Sequence, residues 1–223
     1  MLSRAVQDYL KTIHKLQNND ISQTVSTTDI AKELNVSGAS VTGMLKRLAE
    51  MNLVDYNSYK GVKLTESGKK IALQIIRFHR LLETYLHEKL NFSLDKVHDE
   101  ACRLEHFISE EFVEKITEQL GDPKFDPHGH PIPAKDGALK QVNEIPLSEL
   151  DSGSRYEISR LSDDDPKLLA YLEEMGLLPG TKLTLVEKEP FYGPIKIKYK
   201  GNEKIIGNEV AKNIFIKIKG KNK

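Results

Sequence analysis

The sequence predicts a mainly α chain with a small β domain. It reads as an N-terminal winged helix, a helical dimerisation domain and a C-terminal SH3-like β-barrel. Three observations point there. Apolar residues recur at helical spacing through much of residues 4–119. A strand–turn–strand segment interrupts them near residue 60. After residue 150 the apolar runs shorten to the length of strands, with tight turns between them. The expected division is 1–73, 74–140 and 148–223.

Composition bounds the rest. Hydrophobic residues make up 39% and charged residues 30% of the 223, as in a water-soluble globular protein. No apolar run reaches the roughly 20 residues that span a bilayer. Asp8, Lys11 and His14 interrupt any signal core. Cys102 is the only cysteine, so no intramolecular disulfide forms, which fits the cytoplasm. No membrane partner is expected. Net charge is zero, but it is unevenly spread. Residues 1–73 carry ten Lys/Arg against seven Asp/Glu, residues 74–150 nine against fifteen, and residues 151–223 fourteen against eleven. The acidic middle suits cation capture.

Taken in order, residues 4–18 form a helix with Val6, Tyr9, Leu10, Ile13 and Leu16 on its apolar face. Asp8 lies off that face. Ser26 with Asp29 makes a capping box for a second helix, which opens with Thr27 and Thr28. Asn35–Ser37 breaks it, and a third helix turns Val41, Leu45 and Leu48 inward. Two short helices joined this way form a helix-turn-helix. The third helix presents Ser37, Ala39, Ser40, Thr42 and Gly43, small enough to sit deep in a major groove, then Lys46 and Arg47 for phosphates. A hairpin with Lys60-Gly61 at its tip supplies a wing, where Lys60 and Lys63 can follow the backbone. Without the wing, an ordinary helical corner would serve as well. Thr65 caps a long helix over 66–90, with Ile71, Ile75, Phe78, Leu82 and Leu86 in a stripe. Another helix is expected at about 95–119. The two leave more apolar surface than they cover, which calls for a homodimer seam.

The middle carries the chemistry. On a single helix through KVHDEACRLEH, the residues His98, Cys102, Glu105 and His106 share one stripe of about 100°. His79 and Glu83 form an i, i+4 pair upstream. Imidazole, thiol and carboxylate together are donors for first-row metals. No H-E-x-x-H is present, and a single cysteine excludes a zinc ribbon. Residues 122–137 form a Pro/Gly loop in which His128 and His130 invite a metal reading against that of a rigid connector. ALKQVNEI follows as a linker. The last segment shows five short strands, at Tyr156–Ile158, Lys182–Glu187, Ile195–Tyr199, Glu203–Ile206 and Ile214–Ile218, and a helix over Pro166–Met175. Asp163–Asp165 reads as a helix-start cluster that can also offer a metal oxygen.

The sequence resembles the diphtheria toxin repressor family of metal-dependent regulators over nearly its whole length. The likeness rests on YKGVKLTESGKK, RFHRLLE, the PHGHPIP loop and above all KVHDEACRLEH. The final domain is similar to the small iron-transport protein FeoA. The resemblance implies a homodimer that binds Mn(II) or Fe(II), up to two ions per subunit, and then binds double-stranded operator DNA of metal-homeostasis genes as a repressor. By position, it implies a regulatory ion on Asp8, Cys102, Glu105 and His106. It implies an ancillary ion on His79, Glu83 and His98, with an oxygen from Asp164 or Asp165. Glu83, Asp126 and His128 match the second site of one manganese branch, which has Cys where this chain has Asp126. The iron branch has Met at the place of Asp8. The manganese branch has Asp there, a carboxylate at the place of Cys102 and a Glu at that of Lys11. The chain is thus a hybrid, read with manganese preferred. No catalytic residue or small-molecule substrate is expected. The rivals are a winged-helix regulator indifferent to metal and a hydrolase using a Cys102/His106 pair.

Overall fold

The computed structural model describes residues 2–17, 20 and 22–218. The chain divides into two compact units. One comprises Met1–His79, Glu105–Ile108 and Pro133–Leu139; the other comprises Arg80–Leu104, Ser109–Ile132 and Lys140–Lys223.

In the first unit, α1 (Arg4–Leu16) starts at Ser3, whose side chain accepts from the amide of Val6. The helix expected to reach residue 18 ends at Leu16, and Asn18 lies outside the described residues. α2 (Thr27–Glu33) opens on the predicted capping box. Ser26 Oγ accepts from the Asp29 amide at 3.0 Å and donates to the Asp29 carboxylate at 2.7 Å. α3 (Gly38–Glu50) is capped by Ser37, which accepts from the Ser40 amide at 3.2 Å. β1 (Val54–Asn57) and β2 (Gly61–Leu64) pair antiparallel from Val54↔Leu64 to Asn57↔Gly61 and make the wing. Leu10, Ile13, Ile30, Val41, Leu45, Leu48 and Val62 are fully buried in one core that joins three helices to the wing. Each such side chain contributes about 1.5–3 kcal/mol by leaving water.

α4 (Glu66–Leu90) is one helix of 25 residues, started by Thr65 accepting from the Gly68 amide at 3.1 Å. The expected domain boundary at residue 73 therefore falls inside a helix, and the two units divide further along it, after His79.

In the second unit the helix expected at 95–119 is two, α5 (Leu94–Leu104) and α6 (Glu110–Leu120). The reason is local. Ser109 accepts from the Phe112 amide at 3.2 Å, and Glu110 and Glu111 fill the first turn of α6. A side-chain cap followed by acidic residues favours a new helix start over continuation. Glu105–Phe107 form the intervening turn.

The β domain has six strands: β3 (Glu144–Pro146), β4 (Arg155–Leu161), β5 (Lys182–Lys188), β6 (Ile195–Tyr199), β7 (Asn202–Ile206) and β8 (Ile214–Lys217). They pair antiparallel in the order β3-β8-β4-β5-β6-β7. β3 lies in what reads as linker, and Ile145 pairs there with Ile216. Helices α7 (Pro166–Met175) and α8 (Asn208–Lys212) complete the domain. Leu161, Leu172, Leu185, Ile195, Ile197 and Ile214 fill its core, which Leu94 at the start of α5 joins. The Leu94 amide donates to Glu173 on α7 at 3.1 Å. The fold class is the expected one, mainly α with a small β domain. Among the described residues no helix is long and apolar enough to cross a membrane.

The loop after α6 is fastened to β4. Gly129 has φ +94°, and a Cβ there would lie 2.0 Å from the carbonyl oxygen of Ser159. The Leu161 amide donates to the carbonyl of His128 at 2.8 Å. Only glycine meets both demands. Gly129→Ala is expected to destabilise the protein by about 2 kcal/mol or more, read as a lowered urea midpoint at unchanged slope.

Candidate metal centres and nucleic-acid interface

The first unit brings Asp8, Glu105 and His106 together, with one donor atom from each within 4.8 Å of the others. Asp8 stands on α1; Glu105 and His106 occupy the turn after α5. His106 Nε2 lies 3.0 Å from Asp8 Oδ1 and 3.3 Å from Glu105 Oε1. Its Nδ1 is 2.6 Å from the side-chain oxygen of Gln7. A proton on Nδ1 donated to Gln7 leaves the Nε2 lone pair facing two carboxylate oxygens. Three electron-pair donors converging this way can hold a cation between them, and the outer hydrogen bond to Gln7 is how ligating imidazoles are oriented. The donor set fits a divalent metal.

Glu105 is nearly sealed from water, with 1% of its side chain exposed. Its other oxygen meets His79 Nδ1 at 2.6 Å, and Lys11 Nζ sits 2.8–2.9 Å from both oxygens. Burial would raise the Glu105 pKa, but the hydrogen bond from His79 and the charge of Lys11 outweigh it. The carboxyl is held below the usual range.

The second unit gathers Asp126, His128 and His130. Asp126 Oδ1 accepts from the amides of His128 and His130, each at 2.9 Å, which fixes the loop. Two buried atoms, Asp126 Oδ2 and His128 Nδ1, have no hydrogen-bond partner. His128 Nε2 lies 3.3 Å from the Leu94 carbonyl, and Nδ1 turns inward towards the carboxylates. Glu83, on α4, faces it with Oε2 at 3.8 Å and meets His98 Nδ1 with Oε1 at 3.2 Å. Arg80 Nε is 3.6 Å and His130 Nδ1 3.5 Å from Asp126 Oδ2. Burial lowers the His128 pKa, yet Glu83, Asp126 and Asp163 more than reverse it and raise it to about 9. The cluster demands positive charge. Orphaned buried donors are otherwise rare, and this set also fits a divalent ion.

The expected barrel oxygens have partners of their own within the β domain. Asp165 caps α7, accepting from the Lys167 amide at 2.9 Å, and Asp164 accepts from Ser162 Oγ at 2.9 Å. The carboxylate that joins the cluster is Asp163, with Oδ1 4.0 Å from His130 Nε2. Burial would raise its pKa, but the charges of His130, His128 and His98 outweigh this, against Glu83, and it stands below the usual range. The D-D-D-P order held the clue, since the Asp before a helix-opening Pro is the natural cap. The helical stripe through position 106 is corrected too. α5 ends at Leu104, so only His98 and Cys102 lie on it, with Sγ 3.6 Å from His98 Nε2. Cys102 and His98 belong to the second unit, Glu105 and His106 to the first.

On the helix-turn-helix, Thr28, Ser37, Ala39, Ser40, Gly43, Lys46, Arg47 and Lys60 are exposed, while Thr27 and Thr42 are half-buried. Lys63 is half-buried beside Asp55, 3.6 Å away. Tyr59 at the wing tip is 98% exposed, a residue the sequence pattern did not single out.

Residues 1–62 match the N-terminal DNA-binding domain of iron-dependent repressors, and 65–134 match their metal-binding and dimerisation domain. The chain belongs to the iron-dependent repressor family. It is a metal-dependent, DNA-binding transcriptional repressor. Residues 145–218 match the FeoA domain. The chain is 35% identical to the diphtheria toxin repressor of Corynebacterium diphtheriae, covering 93% of this chain and 94% of that protein. It is 30% identical to the iron-dependent repressor IdeR of Mycobacterium leprae, over 88% and 89%. Among solved structures it is similar to a manganese-dependent transcriptional repressor in complex with manganese (36% identity, TM-score 0.83, 95% of this chain and 99% of that one). It is also similar to ScaR with bound Cd2+ (31%, TM-score 0.76, 95% and 98%).

Gly43 of this repressor lies within α3, and a Cβ there would meet no heavy atom within 4 Å. The fold does not need its bareness, and a helical glycine costs about 1 kcal/mol relative to alanine. If α3 enters a DNA groove as the sequence suggests, a bare position there allows close approach. Gly43→Ala is expected to raise the thermal midpoint by a few degrees while weakening operator binding several-fold in a mobility-shift titration.

Proposed function

We propose that this repressor reaches its operator-competent form when a divalent ion, Mn(II) or Fe(II) with manganese preferred, is held by Asp8, Glu105 and His106. The observation that carries the reading is the convergence of Asp8 Oδ1, Glu105 Oε1 and His106 Nε2, with Gln7 on the far imidazole nitrogen. When bound, the ion supplies a divalent charge shared by two carboxylates and an imidazole. Those three side chains then hold α1 against the turn that follows α5. Residues of α1 share a core with α2 and α3, so the position of α1 helps set that of the recognition helix. The gain in DNA affinity is bounded by how much better the competent form holds the ion. The two carboxylates are hard donors that suit Mn(II), and the imidazole is a borderline donor that also accepts Fe(II). The manganese-dependent relatives support the same preference.

A second ion in this reading rests on Glu83, Asp126 and His128, with His98, His130 and Asp163 beside them. In the second unit Leu90 and Phe112 are about half exposed, apolar surface of the kind a second copy covers. The working form is a homodimer on a palindromic site, placed in the cytoplasm. No catalysis is proposed. Because α5 stops before His106, Cys102 and His106 do not make the helical i, i+4 pair of the hydrolase reading.

The test is an anaerobic operator-binding titration with Mn(II), Fe(II), Co(II) and Zn(II). The wild type should bind tightly only with metal and release DNA on chelation. Asp8→Ala and His106→Ala should remain folded dimers yet lose metal-dependent binding by at least tenfold. Wild-type affinity in these variants at every metal concentration would refute the assignment. His128→Ala should lower the bound Mn(II) from two per subunit towards one, measured by equilibrium dialysis.

A further inference from the structure

Glu105 presents two faces. Oε1 lies 3.3 Å from His106 Nε2, towards Asp8, and Oε2 lies 2.6 Å from His79 Nδ1. Lys11, three residues beyond Asp8 on α1, straddles both, with Nζ 2.9 Å from Oε1, 2.8 Å from Oε2 and 3.1 Å from His79 Nδ1. We propose that the Lys11 ammonium is a tethered cation that competes with the divalent ion for Glu105, and so sets the concentration at which the first centre fills. The inference rests on the reading of Asp8, Glu105 and His106 as an ion site.

The physical case has three parts. A carboxylate this deeply buried is costly without a positive partner, and Lys11 supplies one in the metal-free chain. The donors are thereby kept assembled before any ion arrives. The same ammonium then opposes the ion, because a divalent charge on Glu105 must sit within a few ångströms of it in a poorly screened place. An ammonium is also the right competitor. It is a compact charge on a flexible stem, and 22% of the Lys11 side chain is exposed, so it can withdraw towards water. Lys11 thus tunes the threshold without touching DNA.

The full-length chain, stripped with chelator, is titrated with Mn(II) while free Mn(II) is followed by electron paramagnetic resonance. Lys11→Met is compared with wild type and with the charge-conserving Lys11→Arg. Lys11→Gln serves if the methionine variant fails to fold, since it keeps a donor for Glu105 without charge. Thermal midpoints are recorded with and without metal. Removing the charge should tighten the centre at least tenfold and lower the midpoint of the metal-free protein, whereas Lys11→Arg should bind within a few-fold of wild type. The gain should vanish when Asp8→Ala is added. A residue with only a structural role would lose stability and affinity together. Unchanged or weaker Mn(II) binding in the neutral variants therefore overturns the competition. If Asp8→Ala removes no Mn(II) from the wild type, the ion-site reading itself has failed, a result distinct from the other.

Discussion

The structure depends on carboxylates that have been taken out of water. Glu83, Glu105 and Asp126 each keep about 1% of their side chains exposed. An isolated buried carboxylate is far too costly to persist, so each must face positive charge or hydrogen-bond donors. The chain answers with Lys11 and His79 around Glu105, and with Arg80, His128 and amide groups around Asp126. The answers are incomplete, because Asp126 Oδ2 and His128 Nδ1 remain without hydrogen bonds. Sites left short of positive charge are where cations bind, and on the proposed reading this shortfall is what a second divalent ion would fill.

The two centres differ in how they are prepared. In the second, the loop is fastened by Gly129 and by amides donated to Asp126, so its donors are held by backbone. In the first, the donors come from α1 and from a turn remote in sequence. Their geometry changes with the position of a whole helix. A centre built on backbone contributes stability, whereas one built between separate elements can report on conformation.

Most of the fold was legible because its signals are local. The Ser26–Asp29 box, the wing, the start of α4 at Thr65 and the span Pro166–Met175 all follow from capping, turn and periodicity chemistry within a few residues. The break between α5 and α6 was also local, written in Ser109-Glu110-Glu111, but a continuous apolar pattern across it masked the signal. The candidate metal donors were visible in the sequence as residue types. Their grouping was not. Whether His79 faces Glu105, or which of three aspartates reaches His130, is decided by contacts between segments 26 and 33 residues apart, which periodicity cannot report.

The acidic run at 163–165 carries a consequence for how this β domain tolerates change. Its three side chains have separate duties, each set by distance from Pro166: one opens α7, one is held by Ser162, and one reaches the histidine loop. Substituting the middle aspartate leaves the other two in register. Deleting any one of them slides the run by a residue, so that helix initiation and the reach to His130 no longer coincide. Length is therefore more constrained than composition in this stretch.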